Sequence, residues 1–354
     1  MIDGTQGYVV GHKVADMLCV YPSFFCVYGG NEPVVTFRIP EGAVLKPVSP
    51  EQNWAETGGE WFQATNTVNV VLAEGAIEKW NVSLGSDLTV NFYADIQADD
   101  LKKVQAVITV ADQIQRIPIT NDQYDAENQA YKFSVPVAAA QMSDEIFIQF
   151  LYNDICIFEE TYTVLKYARY VLADAGMEAY HPLVREMLHY GGAAQTYFEY
   201  HTDRLVSAGI SNDVTEKIPS VAEQEMSVTG KIAGIQFYGA SLLFQNKVAV
   251  RCYFDIAGNV ESYSFSANAV DCEAVLKDGL YYVDLPGMNP QDWDQTVELT
   301  IGDAEGNQLV VSYSPLHYMI RMNTKGTENL KQLLQAMYQY HLAAKVICAN
   351  KELN

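Results

Sequence analysis

The chain is 354 residues long and carries 44 acidic against 22 basic side chains, a formal charge of −22. That balance repels polyanions, so neither nucleic acid nor insertion into or docking onto an anionic membrane is expected. With 49 % apolar and 12 % aromatic residues the chain is too hydrophobic for general disorder, and its length suits two or three domains with cores of their own.

Residues 1–66 read as a small N-terminal β region. Residues 8–14, 19–28 and 34–39 have strand character, and Thr57-Gly58-Gly59 reads as a loop. Residues 1–8 have neither the basic start nor the apolar run of a signal peptide. They suit a fragment of a longer secreted protein as well as a cytosolic start. Cys19 and Cys26 bracket a Pro22-Ser23 turn, which leaves a disulfide and two free thiols both open. The six cysteines are too sparse for a disulfide scaffold and none falls in a C-x-x-C. No stretch reaches the roughly 20 apolar residues of a membrane span.

From 67 to 210 the chain reads as a first module. Residues 68–160 hold short runs of Val, Ile, Tyr, Phe and Thr, divided by turns such as Leu84-Gly85-Ser86-Asp87 and Asn121-Asp122. Their period-two alternation predicts an antiparallel sandwich. Residues 163–205 read as a helical hairpin. Leu165, Ala168, Val171 and Leu172 recur at helical spacing, Asp174-Ala175-Gly176 breaks the run, and a second helix opens at His181-Pro182. A linker near 206–227 carries Pro219 and Glu223-Gln224-Glu225. The same grammar then returns over 226–354, with a sandwich at 228–313 and a hairpin at 315–349 broken at Lys325-Gly326.

The return is a repeat at residue level. Residues 88–96 match 248–256, 131–136 match 281–286, 162–167 match 313–318, and 183–194 match 333–344, with Asp144 opposite Asp294. The expected fold is mainly β with α: two tandem antiparallel β-sandwich modules, each followed by a helical hairpin, plus a small N-terminal β region.

One copy shows what the other needs. Cys252 stands where Phe92 does, and Cys348 where Phe198 does, which predicts buried apolar thiols. Tyr190/Tyr340, Met187/Met337 and Ala193-Ala194/Ala343-Ala344 fit a packing stripe: alanines admit close helix approach and the tyrosine hydroxyls reach the rim. Glu186-x-x-His189 has the spacing of a metal-bundle ligand pair, but Ala336 and Gln339 occupy the matched positions, so a solvated face is expected. The acidic turns at Asp122, Asp125 and Glu127 and at Asp303 and Glu305 lack the order of a calcium loop. No cofactor is expected beyond incidental calcium. Trp54, Trp61 and Trp293 are the candidate ligand-binding residues, as faces on which a sugar can stack. Trp293 is chosen because its matched position is Ser143, and core positions should look alike. No catalytic residue or metal ligand is assigned, since Gly-x-Ser-x-Gly, His-Glu-x-x-His and phosphate-loop patterns do not occur.

A further signal lies in Tyr167-Ala168, Leu188-x-Tyr190-Gly191, Ala193-Ala194-Gln195, Tyr197-Phe198 and Tyr200-x-Thr202-Asp203. Over 162–205 these resemble a helical segment of large secreted and surface proteins of Gram-positive anaerobes. There it follows β-sandwich modules and accompanies leucine-rich, carbohydrate-binding or wall-anchoring regions. The second copy keeps Tyr338-x-Tyr340 and Ala343-Ala344 but has His341-Leu342 in place of two glycines. The resemblance implies an extracellular, non-catalytic accessory module and brings no ligand residues with it.

The expected function is a non-catalytic structural or adhesion module of a bacterial secreted or cell-surface multidomain protein. Its partners would be other modules of the same protein. A glycan- or host-protein-binding module using exposed aromatics is the alternative, and an enzyme the third.

Overall fold

The computed structural model describes residues 10–14, 17–21, 35–38, 68–71, 73–98, 100–111, 113–211, 216–244 and 247–352. Trp54, Trp61 and Cys26 fall outside these residues, as does the side chain of Cys19. The chain forms two compact units. One comprises Met1–Glu78, Ala94–Tyr131 and Phe147–Glu160, the other Lys79–Tyr93, Lys132–Ile146 and Thr161–Asn354.

Near the N-terminus β1 (Val10–Val14) pairs antiparallel with β2 (Met17–Tyr21), and β3 (Val35–Arg38) pairs parallel with β4 (Val68–Val71). The first copy then supplies β5 (Ala73–Leu84), β6 (Leu88–Ala98), β7 (Val104–Val110), β8 (Gln113–Pro118), β9 (Tyr124–Asp125), β10 (Ala130–Pro136), β11 (Ile146–Tyr152) and β12 (Ile155–Tyr162). Helices α1 (Val164–Ala173) and α2 (His181–Tyr197) follow. The second copy supplies β13 (Ser227–Gly230), β14 (Ile235–Phe244), β15 (Val248–Ile256), β16 (Tyr263–Ala267), β17 (Val270–Asp271), β18 (Ala274–Lys277), β19 (Leu280–Asp284), β20 (Val297–Asp303) and β21 (Gln308–Tyr313). It ends in α3 (Pro315–Lys325) and α4 (Glu328–Glu352).

The two copies have the same strand order. One sheet runs β5-β6-β10-β9 and its counterpart β14-β15-β19-β18. The other runs β12-β11-β7-β8 and its counterpart β21-β20-β16-β17, with β13 added beyond β21. Antiparallel pairing holds throughout β14-β15-β19-β18 and β13-β21-β20-β16-β17. The fold is thus mainly β, with antiparallel sheets and two helices after the strands of each copy.

Local chemistry explains the boundaries. In β11 Ile146, Ile148, Phe150 and Tyr152 are buried and the residues between them are not, the period-two pattern of a strand with one core face. Val297, Leu299 and Ile301 repeat it in β20. A fully buried tyrosine, Tyr162 or Tyr313, ends the last strand of each copy, and the next residue caps the helix. Thr163 Oγ1 accepts from Lys166 N at 2.9 Å, and Ser314 Oγ accepts from His317 N at 3.3 Å. Asp174 stops α1, and Gly326 N donates to Met322 O at the end of α3. In α2 and α4 the stripes Leu183, Met187, Tyr190, Ala194 and Leu333, Met337, Tyr340, Ala344 are buried. Each larger member contributes roughly 1.5–3 kcal/mol by leaving water. No helix among the described residues is long and apolar enough to cross a membrane.

Cys252 and Phe92 are both fully buried, as their matched positions suggest. The other pair departs from expectation: Phe198 is 46 % exposed and Cys348 half-buried. The buried part of α2 ends at Gln195 and that of α4 at Ala344, and both residues lie beyond it.

Gly191 lets α2 lie directly on the turn at 139–142. A methyl group there would sit 2.7 Å from Met142 Sδ, 2.8 Å from Val206 Cγ2 and 3.1 Å from the carbonyl of Ala139. Overpacking of this kind costs roughly 1–3 kcal/mol. Gly191→Ala should therefore lower the unfolding free energy from urea denaturation by about that amount and move the midpoint down, whereas an unchanged midpoint would show that the turn yields freely.

Candidate functional site

The helical part of the second unit gathers most of the residues singled out from the sequence. Tyr190 on α2 stacks on Tyr340 on α4 with centroids 5.9 Å apart and planes 16° from parallel. Trp293 meets both rings edge-on at 6.1 and 5.9 Å. Its indole N–H donates to Met288 O at 3.1 Å. Burial pushes both phenol pKa values far above the ordinary range, so the hydroxyls stay protonated.

Trp293 is only 2 % exposed, which corrects its reading as a sugar-stacking face. The void beside the cluster measures about 30 Å³, enough for water and far below the hundreds of Å³ of a small-molecule site. Trp80 is occupied as well, packed on Tyr162 at 4.1 Å and against Tyr167 and Tyr170.

His341 takes the place that Gly191 has in the first copy. Its Nδ1–H donates to Pro290 O at 2.6 Å and its Nε2 lies 3.8 Å from Asp294. Burial pushes its pKa below the ordinary 6.5, against the upward pull of that carbonyl and of Asp294. For Asp294, desolvation alone would raise the pKa. Hydrogen bonds from Lys345 and Gln295 outweigh it, with help from His341, and the carboxyl sits below its usual range.

Asp144, the matched aspartate, does the same job with other partners. It is buried, accepts from Tyr200 Oη at 2.6 Å and lies 3.6 Å from His201 Nε2. Asp144 anchors the exit from α2 and Asp294 anchors α4. Sequence matching found the two aspartates but not their partners, because Tyr200-His201 and His341-Lys345 do not correspond in position.

Glu186 and His189 do not meet a second ligand pair. His189 is buried with Nε2 2.8 Å from Ser211 O. Both residues line a groove of about 630 Å³, with Gln335 and Gln339 among the residues on its α4 side. Those two amides donate to the carbonyl of Glu216, so both sides of the groove hold the linker. Among the described residues no group of three or more His, Cys, Asp or Glu side chains is placed to hold a metal ion.

The acidic turns satisfy their own carboxylates. Asp125 Oδ1 accepts from the backbone N–H of Glu127 and Asn128, both at 3.0 Å. Asp303 Oδ1 accepts from Glu305 N at 3.0 Å and Asn307 N at 2.8 Å, while the Asn307 amide binds Oδ2 at 2.8 Å. These are side-chain-closed turns, and Gly306 takes the positive φ that the β20–β21 hairpin requires. Burial raises the Cys252 thiol to about 12, which leaves it inert as a nucleophile.

The folded chain favours neutral His341, whereas the unfolded chain takes up a proton near pH 6.5. Stability is therefore full above that pH and declines as pH falls towards the folded-state pKa. His317, also lowered by burial, acts with the same sign. Asp294 acts in a separate window, where stability is lost as pH drops below 3.8 and through its folded-state value. His341→Asn keeps a donor for Pro290 O but cannot titrate. Urea denaturation at a series of pH values should give a flatter decline below pH 6.5 for this variant than for the parent. Superimposable curves would remove His341 from the account.

In sequence the chain matches no protein-family model and no curated protein.

Proposed function

We propose that the chain is a non-catalytic structural module of a bacterial secreted or cell-surface multidomain protein. It acts outside the cell as a spacer whose neighbours are other modules of the same protein. In this reading the two sheets of each copy face one another as a β-sandwich, and the helical hairpin closes it.

The observation that carries the reading is contact between equivalent positions. Tyr190 stacks on its counterpart Tyr340, α2 packs along α4, and a backbone bridge joins Asp87 to its counterpart Lys247. Self-pairing of matched residues is the mark of an isologous interface. Two copies that clasp one another in this way make a stiff unit, which is what a spacer needs. Chemistry-bearing side chains fit the same account, since His189, His341, Asp144, Asp294 and Trp293 each bond to the fold itself. The extracellular setting is supported by the resemblance over 162–205.

An antibody raised against the chain should label intact bacteria that carry the gene, and brief protease treatment of those cells should remove the label. Labelling that appears only after lysis would end the reading.

A further inference from the structure

The matched sheets β5-β6-β10-β9 and β14-β15-β19-β18 treat one face very differently. In both, one side of the central strand is core: Phe92 in β6 and Phe254 in β15 are fully buried. The opposite side in the first copy carries Asn91 and Tyr93, which are nevertheless only 2 % and 5 % exposed. Asn91 donates to Asn81 Oδ1 and Ser83 Oγ and accepts from Ser134 Oγ, each at 2.8 Å. The ammonium groups of Lys79 and Lys132 lie 5.3 and 5.8 Å from the centroid of the Tyr93 ring. That face is closed by its own side chains.

In the second copy the cover is different and thinner: Arg251, Tyr253 and Tyr282 are half-buried where Asn91 and Tyr93 are buried. Lys79 and Lys132 give way to Gly239 and Tyr282, and Asn91 and Ser134 to Arg251 and Asp284. Arg251 binds Asp284 through two bonds, of 2.5 and 2.7 Å, and its guanidinium lies 3.7 Å from the centroid of the Tyr282 ring. In the next row Tyr253 stands between Gly239 on β14 and Tyr282 on β19. A methyl group at Gly239 would meet nothing within 4 Å, so the sheet is bare there. The register shifts between Phe237 and Gly239, and the bulge leaves Tyr238 71 % exposed. Ser241 Oγ sits 3.2 Å from Tyr253 Oη. Half-buried Tyr253 and Tyr282 therefore stand in one row with the open space at Gly239, exposed Tyr238 precedes that glycine in the chain, and a paired guanidinium and carboxylate and a serine hydroxyl lie alongside.

We propose that this face of β14-β15-β19 binds a neutral saccharide chain. A pyranose has an apolar C–H face and a rim of hydroxyls, each able to donate and accept. Tyrosine rings offer a rigid amphipathic surface to the first. The Arg251–Asp284 pair offers fixed donors and acceptors to the second, with charge-assisted strength and no net charge. The charge of −22 disfavours sulfated or uronic polymers. A peptide added as a strand would use a sheet edge rather than a face. The binding activity is independent of where the protein resides, so its failure and that of the spacer reading are separate results.

The test is an array of neutral polysaccharides (β-glucan, mannan, galactan) alongside sulfated and uronic ones, probed with the full chain. Titration calorimetry with an oligosaccharide of the best hit follows. Tyr238→Ala changes a side chain that is mostly in solvent and should leave the melting temperature unchanged while weakening binding at least about ten-fold. Tyr282→Ala should do the same to binding, and Tyr124→Ala, an exposed tyrosine of the other copy, should not. Binding to no neutral polysaccharide overturns the proposal. So does affinity that survives Tyr238→Ala and Tyr282→Ala, or a preference for the charged polymers.

Discussion

The stacked pair Tyr190–Tyr340 is the contact on which the arrangement of the helices depends. Two large rings buried against each other add roughly 0.5–1.5 kcal/mol to what their area contributes. More importantly, the pair fixes how close α2 and α4 can lie. Ala194 and Ala344, a turn further on, are small enough to permit that approach, and Met187 and Met337 fill the space on the other side. A pair of equivalent residues in contact also defines an axis between the copies.

The copies differ at several places near this contact. Trp293 touches both stacked tyrosines, whereas the matched position in the first copy holds Ser143. The Ser143 hydroxyl is buried without a partner, a cost the small residue brings with it. Asp87 and Lys247 face each other across a backbone bridge, where two like charges would repel. Gly191 and His341 divide in a similar way: one lets the helix settle on a turn, the other bonds to the matching turn through Pro290 O.

The same reasoning shows what was legible in the sequence. Alternation located the strands, and the match of 162–167 with 313–318 marked where each copy passes from strand to helix, although the caps Thr163 and Ser314 were not singled out. Cys252 was recognisable as core from Phe92. Trp293 misled because a position that differs between the copies can still be core: its ring is buried against the tyrosines of both copies. Phe198 and Cys348 misled because helical spacing does not reveal where a neighbouring helix stops being covered. The tyrosine platform was hidden in another way. Tyr238 is exposed because of a bulge, and a one-residue shift in register leaves no trace in a period-two pattern until the partner strand is known.

Duplication with a shared seam also explains how one sheet face could open while its twin stayed closed. In the first copy the polar network around Asn91 satisfies buried groups, and removing one member would leave others unpaired. In the second copy Arg251 and Asp284 satisfy each other, so the groups beside them are free to vary without stranding a buried donor. The bare backbone at Gly239 and the exposed ring of Tyr238 are tolerable on that footing, because the stability of the unit rests on the helix seam and on the opposite face of the sheet. A surface freed from structural duty in one copy alone is where a binding activity can arise without loss of the scaffold.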